Sequence, residues 1–263
     1  MPFEEKLGIS ILGKLKDVTE TFVEHGIKYL EYRITNADYE LIKERVRIIL
    51  EEKDKSGIIT RTVHLPHREG FDLSDIDEEK RVAALENHTK VLNCCYPLQP
   101  EIVVLHPSAG LVPKEEYAAR KQALVRSLKE FTAYCKNLGI TVAVENLTEV
   151  SMVQTSDDLL EIVEAVGDNI GICFDVNHLL AEPHKDFIRK AGKYIITMHV
   201  SDNDGIKERH FLPGDGVIDW KELFAELKKI NYQSTMIVEC GQVMEGFPDS
   251  VSDLCEKWEK LHK

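Results

Sequence analysis

The chain has 263 residues, of which 43% are hydrophobic and 30% are charged, and its formal net charge is −13. This length allows a sizeable core and is typical of one α/β barrel, and the composition is that of a soluble globular protein. No apolar run approaches the roughly 20 residues of a membrane span. The negative charge argues against a broad nucleic-acid-binding surface.

The N-terminal segment MPFEEKLGISILGKL has acidic residues before a short apolar stretch and no small-residue cleavage site. A secretory signal is therefore not expected. The six cysteines show no CxxC spacing, and Cys94 and Cys95 are adjacent. In a chain of this length they indicate reduced, mostly buried thiols, so we expect a cytoplasmic protein.

Short β-branched runs alternate with longer amphipathic segments along the chain. Helical periodicity is clear over residues 39–54 and 115–139, and Gly139 stands where the second helix should end. Thr155 or Ser156 is expected to cap the next helix, which has acidic residues in its first turn. The predicted strands are KLGISIL, KYLEYRI, IITRTVHL, EIVVLH, TVAVEN, IGICFD, YIITMHV and TMIVEC.

The chain contains about eight strand–helix repeats, and eight is the number that closes a parallel barrel. Strand runs that are apolar throughout favour a sheet covered on both faces. The chain contains no linker-like or low-complexity tract, so residues 1–263 are predicted to form one α/β domain, a (β/α)8 TIM barrel. The alternative is an open doubly wound sheet, but no GxGxxG follows the first strand.

Histidine and acidic side chains stand at the carboxyl ends of successive predicted strands, which open onto one face of a parallel barrel. A single histidine in such a position is more often structural than a ligand. Glu145 and Glu239, however, each follow three apolar residues, and a carboxylate at such a buried rim needs a cation or a hydrogen-bond partner. The full series is His64, His67, His106, Glu145, Asp175, His178, His199 and Glu239.

Two glutamates, an aspartate and a histidine form a mixed oxygen and nitrogen set suited to Mn²⁺, Zn²⁺, Mg²⁺ or Co²⁺. No thiolate belongs to the set, which argues against a structural zinc or iron–sulfur site. Strand alternation turns Cys240 away from the face used by Glu239, whereas Cys173 shares the parity of Asp175. Both cysteines are expected to be packing residues.

The motifs HLPH, LHPSAG, VEN, FDVNH, HVSDND, ERHFLPGDGVIDW and VEC resemble those of the xylose-isomerase-like barrels, and the resemblance covers essentially the whole chain. This family includes sugar isomerases and epimerases and also endonuclease IV. The resemblance implies one divalent metal ion, with Mn²⁺ or Zn²⁺ expected first, held by Glu145, Asp175, His199 and Glu239. It also implies that Glu145 and Glu239 are catalytic, moving a proton on opposite faces of the carbon beside a carbonyl.

The expected activity is that of a metal-dependent isomerase or epimerase of a sugar, sugar phosphate or sugar acid, working through an enediolate. The expected partner is a small carbohydrate-like substrate, with no nucleic acid and no membrane. The resemblance allows a homodimer or a homotetramer, and the oligomeric state stays open. The residues expected to bind substrate are His67, His106, His178, Arg209 and His210.

The endonuclease IV branch provides a competing prediction, a zinc phosphodiesterase acting on abasic DNA. Its additional metal ligands correspond here to His67, His106, His178, Glu208 and His210, with Glu208 in place of an aspartate. Two features argue against this function. The segment after LPH reads REG, where the nuclease carries an aromatic wedge. The segment RITNADYE, which would face the DNA, offers only one basic residue. A third alternative is a dehydratase or lyase, because proton abstraction beside a carbonyl can end in elimination.

The segment HVSDNDGIKERHFLPGDG, residues 199–216, carries the open question. Gly214 and Gly216 are expected to shape a tight turn, and Trp220 to pack the following helix. Glu208 and His210 bind either a second metal or a substrate hydroxyl, and the hydroxyl is favoured.

Overall fold

The computed structural model describes residues 6–12, 19–148, 151–244 and 247–261. Eight parallel strands form a closed barrel in sequential order, in which the last strand pairs with the first. This confirms the predicted (β/α)8 TIM barrel. The strands are β1 (Leu7–Ile11), β2 (Tyr29–Arg33), β3 (Ile59–His64), β4 (Ile102–Leu105), β5 (Thr141–Glu145), β6 (Ile170–Asp175), β7 (Ile195–Val200) and β8 (Met236–Val238).

Helices follow the strands and cover the outer face of the barrel, so most strand residues are buried. A small separate cluster of buried side chains includes Val104, Ala143 and Cys173. Within the described part of the chain, no helix has the length and apolarity needed to cross a bilayer. The helices are α1 (Thr19–Glu24), α2 (Tyr39–Ser56), α3 (Glu78–Cys95), α4 (Tyr117–Asn137), α5 (Ser156–Val166), α6 (His184–Ala191), α7 (Trp220–Lys229), α8 (Gly241–Met244) and α9 (Pro248–Leu261).

The helix boundaries follow the expected capping chemistry. Helices α2 and α4 correspond to the two periodic segments, and Gly139 follows α4 with a φ of +74°, which favours glycine. Of the two candidate N-cap residues, Thr155 is the N-cap of α5, and it forms a reciprocal capping box with Asp158. Each residue accepts a hydrogen bond from the other's backbone N–H, which fixes the start of α5 after the loop that follows β5.

Replacing Thr155 by Ala should lower the free energy of unfolding by about 1 kcal/mol, because the N–H of Asp158 loses its acceptor. We expect a fall in Tm of roughly 2–4 °C for a chain of this size, measured by thermal and urea denaturation. Thr155→Ser keeps the acceptor and is the matched control. A Thr155→Ala protein as stable as the wild type would show that the capping box contributes nothing.

Candidate metal centre and active site

Four acidic and histidine side chains meet at the carboxyl ends of adjacent strands. Glu145 and Asp175 are the last residues of β5 and β6, His199 is in β7, and Glu239 directly follows β8. All four residues are fully buried. The register between β6 and β7 sets Asp175 directly beside His199, so barrel closure brings together residues that are far apart in the sequence.

The imidazole of His199 lies among the three carboxylates. Its Nδ1 atom is 3.0 Å from Oε1 of Glu145, 3.6 Å from Oε1 of Glu239 and 3.9 Å from Oδ2 of Asp175. A carboxylate oxygen from each of the three acids therefore lies within 4 Å of this nitrogen. These four residues are the predicted ligand set.

Two carboxylate oxygens in this cluster are buried without a hydrogen-bond partner, Oδ2 of Asp175 and Oε2 of Glu239. His178 Nδ1 lies 3.3 Å from the first of these oxygens but hydrogen-bonds to the carbonyl of Asn146 instead. Leaving an anionic oxygen buried and unpaired is costly. A set of carboxylates with one imidazole nitrogen suits Zn²⁺ or Mn²⁺, so these residues fit a divalent metal ion.

The charged groups of the cluster shift one another's pKa values. Burial acts to raise the pKa of Glu145, but the neighbouring His199 and His106 bring that pKa well below its ordinary value. Burial raises the pKa of Asp175 to about 6, although the neighbouring His178 acts to lower it. A bound cation would lower the pKa of both carboxyl groups, since it favours the ionised form.

A second cluster adjoins the first and contains His178, Glu208 and His210, whose ligand atoms lie close together. Oε1 of Glu208 is 2.6 Å from Nε2 of His210 and 3.5 Å from Nε2 of His178. The other nitrogen of His210, Nδ1, donates to the carbonyl oxygen of Glu239 at 2.7 Å. The second cluster is therefore tied directly to the end of β8.

His67 and His106 form a separate pair. Their rings stack with centroids 4.0 Å apart, and Nε2 of His106 lies 3.2 Å from Oε2 of Glu145. Burial lowers the pKa of His106 to about 4, so its ring is neutral at neutral pH. Among the described residues, no cluster of neighbouring ligand atoms joins this pair to Glu208 or His210. The five residues considered for a second metal thus divide into two groups.

Arg209, predicted to hold a substrate oxygen, lies at the rim of the site. Its Nε atom donates to Oδ2 of Asp204 at 2.5 Å, and its side chain is 37% exposed. Its backbone N–H donates to the side chain of Asn177. The guanidinium is thus paired within its own loop, and its contact with substrate stays a prediction.

Three further residues contact the cluster without having been assigned a role from the sequence. Arg33 forms an ion pair with Oε1 of Glu239, and Nε2 of His64 lies 3.1 Å from Oε2 of Glu145. Glu31 is fully buried, and its Oε2 lies 3.1 Å from Nε2 of His199. Glu31 and Arg33 lie on one face of the strand YLEYR, where a buried sheet normally carries apolar side chains. This pattern is the sequence feature that could have identified them as functional residues.

The loop after β7 is organised by the buried carboxylate of Asp202. Asp202 and Phe211 also exchange both backbone hydrogen bonds, at 2.8 and 3.0 Å. This pairing fixes the segment that carries Glu208 and His210. The four groups that donate to the Asp202 carboxylate are the backbone N–H groups of Asn203, Gly214 and Ile218 and the indole N–H of Trp220.

Gly216 and Trp220 complete this loop. A Cβ on Gly216 would lie 2.1 Å from the carbonyl oxygen of Asn203, so only glycine allows this close approach. Trp220 begins α7 and its ring contacts Phe224 and Trp258. Trp220 therefore packs the helix as expected and also anchors the turn through Asp202.

Asp202→Asn should destabilise the protein. One acceptor oxygen of the carboxylate would be replaced by an amide NH₂ group, which cannot accept the hydrogen bonds that the surrounding N–H groups donate. Each buried donor left unsatisfied costs roughly 1–3 kcal/mol. Urea denaturation followed by tryptophan fluorescence would report both the loss of stability and the change around Trp220. Asp215→Asn, which alters an exposed ion pair with Lys257, is the control and should change little. Equal stability of the two variants would contradict the anchoring role of Asp202.

The chain is similar to a protein family, to individual protein sequences and to solved structures. The model of the xylose isomerase-like TIM barrel family matches residues 20–255. An uncharacterised protein of Methanocaldococcus jannaschii is 27% identical over 248 residues, covering 89% of this chain and 83% of the relative. Fructoselysine 3-epimerase of Escherichia coli O157:H7 is 28% identical over 123 residues, which is 44% of each chain.

Solved structures share the fold over nearly the whole chain. A D-tagatose 3-epimerase-like protein superposes with a TM-score of 0.81 at 23% identity, covering 97% of this chain and 96% of the other. The IolI protein with a bound zinc atom gives a TM-score of 0.78 at 20% identity, covering 98% and 96%. At this identity the similarity establishes the barrel fold.

Proposed function

The chain belongs to the xylose isomerase-like TIM barrel family, and from this premise we propose that it is a metal-dependent epimerase or isomerase of a small carbohydrate. The proposed metal ligands are Glu145, Asp175, His199 and Glu239. One observation carries the proposal: the Nδ1 atom of His199 lies within 4 Å of a carboxylate oxygen from each of the three acids.

The proposed reaction is a proton transfer at the carbon beside a carbonyl. When bound, the metal supplies positive charge that stabilises the negative charge developing on the substrate oxygens. Burial acts to raise the pKa of Glu239, but His199 and Arg33 lower it well below its ordinary value, so this side chain is a carboxylate at neutral pH. Glu239 and Glu145 then serve as base and acid on opposite faces of the carbon.

The second cluster is proposed to bind substrate hydroxyls. His178, Glu208 and His210 offer both donors and an acceptor beside the metal ligands. The stacked rings of His67 and His106 border Glu145 and add a neutral surface for the substrate. Support for a carbohydrate comes from two similar proteins, one named fructoselysine 3-epimerase and the other described as D-tagatose 3-epimerase-like. The metal in IolI, zinc, is compatible with the ligands proposed here.

The nuclease remains the second candidate, and the close approach of His178, Glu208 and His210 is the observation in its favour. It requires these residues to hold a metal of their own. A lyase shares the first step with the epimerase, because the proton is removed and a neighbouring hydroxyl then leaves. Product identification separates the lyase, and metal counting separates the nuclease.

A cytoplasmic location is part of the same proposal. All six cysteines are free, and five of them are buried. Free thiols in this number suit a reducing compartment.

Removal of divalent metal by chelation should abolish turnover of a panel of ketoses and aldoses, and Mn²⁺ or Zn²⁺ should restore it.

Glu145→Gln and Glu239→Gln should each lower kcat by about 10²–10⁴-fold, since each removes an acid–base group. Deuterium incorporation from D₂O at the carbon beside the carbonyl reports the proton transfer itself. Glu226→Gln is the matched control, because this buried glutamate of α7 pairs with Arg189 of α6, outside the site. Absence of both turnover and deuterium exchange across the panel would overturn the proposal.

Metal analysis of the purified protein should find one divalent ion per chain. Glu208→Gln should keep that ion and raise KM for the sugar, because Glu208 is proposed to contact substrate. The nuclease predicts close to three tightly bound zinc ions, loss of one on Glu208→Gln, and cleavage of DNA at an abasic site.

A further inference from the structure

Glu31 occupies an unusual position for an acidic residue. It lies in the middle of β2, two residues before Arg33, and is fully buried in the sheet. Its Oε1 accepts from the Ser10 hydroxyl at 3.0 Å, and its Oε2 accepts from the Thr62 hydroxyl at 2.9 Å. The neighbouring strands β1 and β3 therefore hold this carboxylate in one orientation.

The remaining contact of Glu31 is with His199, whose two ring nitrogens face different surroundings. Nδ1 points into the group of three carboxylates, whereas Nε2 lies 3.1 Å from Oε2 of Glu31. A neutral imidazole carries its proton on one nitrogen and offers a lone pair on the other. If Nδ1 is to bind a cation, Nε2 must carry the proton, and Glu31 is the acceptor placed to receive it.

We propose that Glu31 is a positioning residue that accepts the Nε2–H of His199 and thereby directs the Nδ1 lone pair to the metal. The inference rests on the metal site of the proposed function and adds a residue outside its ligand set. A carboxylate on the far nitrogen fixes both the tautomer and the ring plane of a histidine ligand, and it raises the basicity of the ligating nitrogen. The His64 ring, stacked on that of His199 with centroids 5.6 Å apart, restricts ring rotation further.

A purely structural role for Glu31 makes a different prediction. In that case the carboxylate only joins β1, β2 and β3 through Ser10 and Thr62. Its loss would lower stability but leave metal affinity unchanged, because no ligand atom would depend on it. Metal affinity, measured apart from activity, therefore separates the two roles.

The first test is Glu31→Gln, which keeps the shape of the side chain and removes its charge. The Kd for Mn²⁺ or Zn²⁺, measured by titration calorimetry on the metal-free protein, should rise by about 10–100-fold. Glu226→Gln is the matched control, a buried glutamate on α7 whose loss should leave the Kd unchanged. A Glu31→Gln protein that binds metal as tightly as the wild type would overturn the positioning role, even if its Tm is lower.

The second test needs no variant. The ¹⁵N chemical shifts of the His199 imidazole in zinc-loaded wild-type protein should show a protonated Nε2 and a metal-bound Nδ1. The reverse assignment would overturn the inference and leave the proposed function intact. Wild-type protein that binds neither Mn²⁺ nor Zn²⁺ would overturn the proposed function as well, so the two failures are distinguishable.

Discussion

The structure at the carboxyl ends of the barrel strands depends on how the negative charge of four buried carboxylates is compensated. Glu31, Glu145, Asp175 and Glu239 are all fully buried, and each has an oxygen within 4 Å of the His199 ring. Removing an ionised carboxylate from water costs several kcal/mol unless charge or hydrogen bonds replace the water. One imidazole and the guanidinium of Arg33 supply part of that compensation. A divalent cation among the same oxygens would supply the rest.

Closure of the barrel makes this concentration of charge achievable. Glu239 follows β8, yet its ion pair is with Arg33 of β2, on the other side of β1. Asn146 joins β5 to β6 by accepting from the backbone N–H of Asp175 and donating to its carbonyl oxygen. Each proposed ligand therefore lies at a strand end that neighbouring strands hold in register, which is the kind of rigid support that a metal site requires.

Much of this arrangement is predictable from the sequence, for a definite physical reason. Apolar runs bounded by turn residues define the eight strands, and parallel strands deliver their carboxyl ends to one face. Glu145, Asp175, His199 and Glu239 therefore had to lie near one another once the barrel closed. Thr155 was predictable in the same way, because a capping box is local chemistry.

What the sequence did not indicate depends on contacts between distant residues. Glu31 and Arg33 stand inside a strand, where a charged residue carries no local sign of its partner. Arg209 looked suited to bind substrate, yet Asp204, five residues earlier, pairs with it. The separation of His67 and His106 from Glu208 and His210 likewise follows from the geometry of the segments after β3, β4 and β7 rather than from sequence spacing.

The number of donors that a buried carboxylate receives differs between Asp202 and two of the proposed metal ligands, Asp175 and Glu239. Asp202 accepts four hydrogen bonds, from three backbone N–H groups and an indole, and so its charge is satisfied by the fold alone. Asp175 and Glu239 each retain a buried oxygen with no donor. Such an oxygen is a stability cost that the fold has not removed, and a site that binds a cation requires it to stay free. Glu31 stands between these cases, since its two hydroxyl donors fix it while its third contact reaches a metal-binding histidine in the proposed site.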